Sequence, residues 1–389
     1  MIKKDIKRST AACIIMAVIF VGFIALFTLG TIFSPDRKFS EMENRMLAQK
    51  PSLSFSSIFV KKGEKTYMDK LEEYMSDQIF MKDSMMSVKT ECDYFSGKTY
   101  QNGVYFSKGG FLLQKYTENT AMIDKNVSCI NDLASSVTVP VDFILAPNSV
   151  CVNADRLPAG ALTDDQRKTV ERVRGELATN VTLYDPYDLL VDLQTNRNVN
   201  TYYKTDHHWT AGAARAACDG WLQSIGMEAT DSTYTLNKVS DFYGTLYSKA
   251  PAQFIKPDEF SYYTNTAGQY EVYYQAENKY VYSMTDESFL KKKDKYASFF
   301  GGNYALMKIR RTNDPEGDKK PKILVIKDSY ANSLIPFLAD RFSEVYVIDL
   351  RYYHTGLVSD IVKENDINRV LLCYNVDFLN EDQNFIWLG

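Results

Sequence analysis

The sequence of 389 residues predicts an α/β protein built on a parallel sheet, behind one N-terminal membrane-spanning helix. Three observations lead there. An uncharged apolar run opens the chain. Short apolar segments then alternate with helix-like segments, the rhythm of βαβ units. A Tyr-rich stretch, residues 228–300, breaks that rhythm and reads as an inserted β subdomain or cap, placed at about 228–315.

The apolar run is Ser9 to Phe33, without a charged residue. At about 1.5 Å per residue it spans the roughly 30 Å hydrocarbon core of a bilayer. Lys3, Lys4, Lys7 and Arg8 precede it, so residues 1–8 read as a cytoplasmic tail and 9–33 as a signal anchor. A cleavable signal peptide is the alternative; the run is long for one, and no Ala-x-Ala site follows. Ser34-Pro35 ends the helix. Residues 34–100 then read as a helical stalk or collar, with amphipathic helices at Tyr67 to Phe80 and Met81 to Phe95.

The main domain is placed at 101–389. Val104–Ser107 and Phe111–Leu113 flank glycines and read as a hairpin. Residues 119–135 suit a helix, and Val141 to Ala146 a buried strand stopped by Pro147-Asn148. Thr163 with Gln166 makes a capping-box start for a helix to Leu177, followed by strand Val181–Tyr184. Thr210 caps an Ala-rich helix through Ile225. After the Tyr-rich stretch come strand 322–326, helix 330–340, strand Glu344 to Ile348, helix 357–365 and strand Arg369 to Tyr374.

Composition narrows the function. Taking away the four basic residues and one acid of the first eight leaves 41 basic against 48 acidic groups, a net −7, which argues against nucleic acid as a partner. Of six cysteines, Cys13 lies in the apolar run. The other five are scattered without Cys-x-x-Cys spacing, so neither a zinc knuckle nor a dithiol redox site is indicated. One opportunistic disulfide stays open. The 27 tyrosines suit a surface that meets sugars, and equally suit partly buried packing; Tyr-rich 261–282 in particular is either a carbohydrate groove or the packed face of a small sheet.

The densest chemistry is Asp206-His207-His208-Trp209-Thr210, which holds two of the three histidines. In an extended segment Asp206 and His208 project to one side, where the carboxylate orients the imidazole as a base, and His207 points away. The run could instead hold a metal, or be structural. No His-Glu-x-x-His spacing is present, so neither metal nor cofactor is expected. Ser329 follows the apolar strand and opens the next helix, where free N–H groups favour a developing anion. The alternative is that Ser329 or Asp328 only caps that helix.

Asp206–Trp209 together with Lys327-Asp328-Ser329-Tyr330 resembles the DHHW protein family. It is similar to the alginate O-acetyltransferase group, whose members have an SGNH-hydrolase-like domain. Phe39 to Arg45, Asp77 to Asp83, Phe300 to Tyr304 and Asp349 to Tyr353 also look like family segments. The resemblance implies a three-layer fold, with Asp206 as orienter, His208 as base and Ser329 as nucleophile. It also implies an extracellular polysaccharide as acceptor and a membrane-bound O-acyltransferase as acetyl-donor partner. Lys327 stands where the wider esterase superfamily has Gly, and Asp206 and His208 are closer together than in those esterases. Gly302, Asn303 and Asn148 are candidate oxyanion donors; Arg351 is a candidate contact to an acyl oxygen or sugar. Three activities follow in order: polysaccharide O-acetyltransfer, carbohydrate acetyl-ester hydrolysis with the same residues, and non-catalytic polysaccharide binding or assembly.

Overall fold

The structure, a computed structural model, describes residues 2–54, 64–230 and 233–389. Met1 and the side chains of residues 2–9, on which the basic-tail reading rests, lie outside the described residues, as do residues 231–232 of the insertion. The chain divides into two compact units, one of residues 1–97 with 251–253, the other of 98–250 with 254–389.

In the first unit, helix α1 (Ile2–Phe33) includes a predominantly apolar stretch of 24 residues, Thr10–Phe33, long enough to cross a membrane by length and composition. Helices α2 (Tyr67–Asp77) and α3 (Lys82–Phe95) follow. The two family-like segments here meet each other. Buried Asp77 accepts from Arg45 at 2.6 and 2.9 Å and from Lys82 at 3.0 Å, while Lys82 also pairs with Glu43 at 2.6 Å. The Arg45 hydrogen bond holds the Asp77 carboxyl well below its usual range against the effect of burial.

The second unit is a mixed α/β domain around one eight-stranded sheet. Its strands are β1 (Val141–Ala146), β2 (Val181–Tyr184), β5 (Tyr270–Tyr274), β6 (Lys279–Val281), β7 (Leu306–Arg311), β8 (Ile323–Lys327), β9 (Val345–Ile348) and β10 (Arg369–Asn375). The spatial order is β6-β5-β7-β9-β8-β10-β1-β2; the five from β9 to β2 are parallel. Strands β3 (Tyr234–Phe242) and β4 (Asp258–Asn265) pair as a separate ribbon.

Both faces of the sheet are covered, which is why β8, β9 and β10 read as near-continuous apolar runs. Ile323 and Val325 face a core containing Trp209, Ala213, Ala217 and Trp221, the last three from α6 (Ala211–Ser224). Leu324 and Ile326 face the other core, filled by α4 (Thr120–Ser136), α5 (Gln166–Glu176) and α7 (Val358–Glu364). All six cysteines are free.

Three expectations change. The Tyr-rich insertion is not a separate cap throughout: β5, β6 and β7 extend the main sheet antiparallel from the outer edge of β9, Leu306 opposite Ile348. That edge would otherwise carry unpaired backbone groups. The helix at 330–340 is a 3-10 turn, Ser329–Ser333, followed by the short helix Ile335–Leu338, with Pro336 in its first turn. The cap of α5 is Asp165, which accepts from Arg167 N; Thr163 instead binds the Tyr116 backbone, and Gln166 binds Asn148.

Candidate active site

Strand β8 ends at buried Lys327 and delivers Asp328 and Ser329 to the carboxyl edge of the sheet, where open α/β folds bind ligands. Asp328 caps the turn, its Oδ1 accepting from Tyr330 N at 2.8 Å, and its Oδ2 accepts from Asn375 N at 2.7 Å. Burial pushes Asp328 up to about 6 against these donors. With Asp328 acting as the cap, the Ser329 hydroxyl is free. Its Oγ lies 2.8 Å from His208 Nε2. His208 Nδ1 lies 2.5 Å from Asp206 Oδ1.

The Asp-His segment is a bend, not an extended strand. Oδ1 of Asp206 also accepts from the His208 amide at 2.9 Å, an Asx turn two residues long. A bridge between Tyr202 and Trp209 closes the loop, and Tyr203 N donates to His208 O. His207 therefore does not point away: its ring centroid is 3.8 Å from that of His208. On the ribbon, Asp258 accepts from Lys204 N, Thr205 N and the Thr205 hydroxyl, anchoring the same loop.

The second Asp206 oxygen accepts from Thr245 N at 2.7 Å and from its hydroxyl at 3.1 Å. Burial alone would raise the Asp206 carboxyl; the adjoining His208, His207 and the Thr245 amide outweigh it and hold the carboxyl well below the usual range. Burial, then the neighbouring His208, pushes the His207 imidazole down to about 3. Neutral His207 meets the Thr245 hydroxyl through Nδ1 at 2.5 Å. Asp206, His207 and His208 together also offer three ligand atoms within 4.8 Å, the arrangement a metal would use. In this arrangement, however, both His208 nitrogens already have protein partners.

Tyr296 and Trp209 hold the imidazole and the serine turn. The Tyr296 ring stacks on His208, centroids 3.6 Å apart and planes 9° from parallel, and its hydroxyl donates to Ser329 O at 3.1 Å. Trp209 Nε1–H reaches Tyr330 O and Ser333 Oγ, each at 3.0 Å. Tyr296, Thr245 and Asp258 carry no local signal, since nothing in their neighbourhoods marks them off from turn or core residues.

The oxyanion candidates separate. Gly302 adopts φ +134° and its amide donates to Phe299 O, so as placed it offers no donor. Asn148 is buried with both ends engaged: Nδ2 donates to Tyr330 Oη and Asn375 Oδ1, and Oδ1 accepts from Gln166 and Asp377 N. Arg351 forks onto Asp349 at 2.6 and 2.8 Å. Asn303 differs. Its Oδ1 accepts from Lys327 Nζ at 2.6 Å and Asn332 Nδ2 at 3.1 Å, and its Nδ2 has no partner among the described residues. Asn332 belongs to the same turn as Ser329, and Ser329 N–H, first in that turn, has no acceptor within it. Of the tyrosines in 261–282, Tyr262, Tyr270 and Tyr274 are core residues, while Tyr274 and Tyr282 help line an open cleft of about 430 Å³.

A family model for DHHW proteins matches residues 86–348. The chain belongs to the DHHW family. A solved DHHW family protein from Eubacterium siraeum has 25% identity, a TM-score of 0.63, and coverage of 73% of this chain and 94% of its own. Bacillus cereus PatB1 has 22% identity, a TM-score of 0.61, and coverage of 72% and 97%. A second structure of PatB1, with a sulfonyl adduct, has 22% identity, a TM-score of 0.60, and coverage of 74% and 98%. These likenesses support the fold of the second unit. No curated protein matches the sequence.

Proposed function

We propose that this DHHW-family protein is a cell-surface O-acetyltransferase with an SGNH-hydrolase-like domain. It moves an acetyl group through an acyl-serine to a hydroxyl of an extracellular polysaccharide. The observation that carries the reading is the hydrogen-bonded line from Asp206 to His208 to Ser329, with links of 2.5 and 2.8 Å. Those links fall within the reach that proton transfer requires.

In the first half-reaction, Ser329 Oγ bonds to the acetyl carbonyl carbon as its proton passes to His208 Nε2. The carbonyl electrons move onto oxygen, which rests on Ser329 N–H and Asn303 Nδ2. Collapse breaks the bond to the donor, and the leaving atom takes the proton from His208. In the second half, a polysaccharide hydroxyl gives its proton to His208 and attacks the acyl carbon. Ser329 departs and regains a proton from His208. Asp206 stays ionised and stabilises the imidazolium formed in both halves.

The acetyl chemistry rests on the resemblance to the alginate O-acetyltransferase group, which also implies a membrane-bound O-acyltransferase as donor partner. In this reading α1 is an anchor with a cytoplasmic N-terminus, keeping residues 101–389 beside that partner outside the membrane.

The test uses the full-length protein in detergent with p-nitrophenyl acetate, with and without a soluble oligosaccharide. Ser329→Ala and His208→Ala should each lower kcat by about 10³-fold or more, and a Ser329 peptide bearing an acetyl group should be trapped by acid quench. Acetyl appearing on the oligosaccharide supports transfer. Turnover with water alone, whatever the acceptor, makes the protein an esterase. Unchanged turnover in both variants sinks the serine reading.

A further inference from the structure

We infer that Lys327 is a positioning residue: its buried ammonium fixes and polarises the Asn303 side chain so that Asn303 Nδ2 faces the oxyanion. The inference rests on the acyl-serine reading above and adds to it the group that sets up the second oxyanion donor.

Lys327 is 1% exposed, in the last position of β8, two residues before Ser329. A lysine so placed needs partners, because an unpaired buried charge is strongly unfavourable. It has two: Asp349 Oδ2 at 3.0 Å and Asn303 Oδ1 at 2.6 Å. Asp349 is shared with Arg351, which forks onto it. The Asn303 amide oxygen is therefore the ammonium's one partner not shared with a second cation.

An asparagine amide can turn over, exchanging its oxygen and nitrogen. At Asn303 the exchange would set an NH2 group against an ammonium and against Asn332 Nδ2, donor facing donor. Lys327 and Asn332 therefore select one orientation, with Oδ1 inward and Nδ2 away from both. Donation from a cation to Oδ1 also draws charge through the amide and makes its N–H bonds better donors. Ser329 N–H, Asn303 Nδ2 and Arg351 Nη1 are donors without a partner among the described residues, and of the two side chains Asn303 is the one tied to the serine turn, through Asn332 Nδ2. Gly302, the backbone alternative in the same loop, is engaged with Phe299.

The geometry also accounts for a departure in the motif. Superfamily esterases carry Gly before the Asp-Ser pair. Lys here reaches from the strand end to a loop some 24 residues earlier in the chain.

The test is a double-mutant cycle on full-length protein in detergent, reading kcat and KM for p-nitrophenyl acetate. Asn303→Ala should lower kcat by about 10²–10³-fold, as removal of an oxyanion donor does. Lys327→Met should lower kcat by about 10-fold or more with KM nearly unchanged, and in the Asn303→Ala background it should add little. Lys327→Gln retains a neutral donor, so its kcat should fall between Lys and Met. Equal losses from Lys327→Met with and without Asn303 would overturn the inference, as would an unchanged kcat. Should the Met variant not fold, Lys327→Gln and Asn332→Ala carry the same comparison, each expected to lose less in the Asn303→Ala background than alone. If Ser329→Ala itself keeps full turnover, it is the acyl-serine reading that fails, a result distinguishable from failure of the Lys327 role.

Discussion

Replacing Asp206 by Asn tests the arrangement most sharply, because every lone pair of that carboxylate has a donor. Oδ1 accepts from His208 N and Nδ1, and Oδ2 accepts from Thr245 N and its hydroxyl. An Asn has one oxygen to offer. With its oxygen toward His208, the NH2 meets the Thr245 N–H, donor against donor. With its oxygen toward Thr245, the NH2 meets His208 Nδ1, which must then be the bare nitrogen. The proton moves to Nε2, and His208 cannot take a proton from Ser329. Either way the imidazolium of the transition state loses its counter-charge. Where an Asp-to-Asn change leaves a triad's geometry in place, kcat falls about 10⁴-fold. The expected loss here is about 10³–10⁴-fold, or about 4–5.5 kcal/mol at about 1.36 kcal/mol per decade. The assay is kcat against pH for p-nitrophenyl acetate, with unfolding midpoints measured alongside. A folded Asp206→Asn protein within tenfold of wild type at neutral pH would refute the assignment of Asp206 as orienter.

Two further outcomes are expected. A Cβ on Gly244 would stand 2.2 Å from Asp206 Cβ and 2.3 Å from its Oδ2, so Gly244→Ala should lose about 1–3 kcal/mol by denaturant titration and at least about tenfold in kcat; a variant equal to wild type in both would show that the Asp206 loop is slack. Burial pushes Asp377 up to about 7, above the roughly 3.9 of an unfolded Asp, so the folded state holds a proton that the unfolded state releases. Its contribution to stability is full below about pH 4 and is lost as pH rises to about 7, so Asp377→Asn should flatten the Tm profile across that window; a parallel downward shift at all pH values would count against this.

Several elements were legible because they rest on local chemistry. Thr210 as cap of α6, the strand Val141–Ala146 and the buried run of β8 all follow from adjacent residues and from period. Other elements were misplaced where a neighbour far along the chain decides the outcome. Tyr270–Tyr274 alternates as any half-buried strand does, and alternation does not say that its partner is β7, beyond which lies β9. Thr163 and Gln166 have capping-box spacing, yet Tyr116 and Asn148 claim them. His207 was expected to turn away from His208, since strand geometry alternates; the Asx turn at Asp206 removes that alternation.

The same division runs through the site. Sequence alone determined which residues could supply a carboxylate, an imidazole and a hydroxyl, because only three histidines exist and two stand beside Asp206. It also determined that α1 is apolar along a membrane's thickness, a property of composition. Which candidate donors remain free of other partners was decided only by the tertiary structure. Gly302, Asn148 and Asn303 are alike as chemical groups. They differ in whether another part of the chain has already taken their hydrogen bonds: Phe299 takes Gly302, Asn375 and Tyr330 take Asn148, and Lys327 takes only the oxygen of Asn303, leaving its nitrogen without a partner among the described residues.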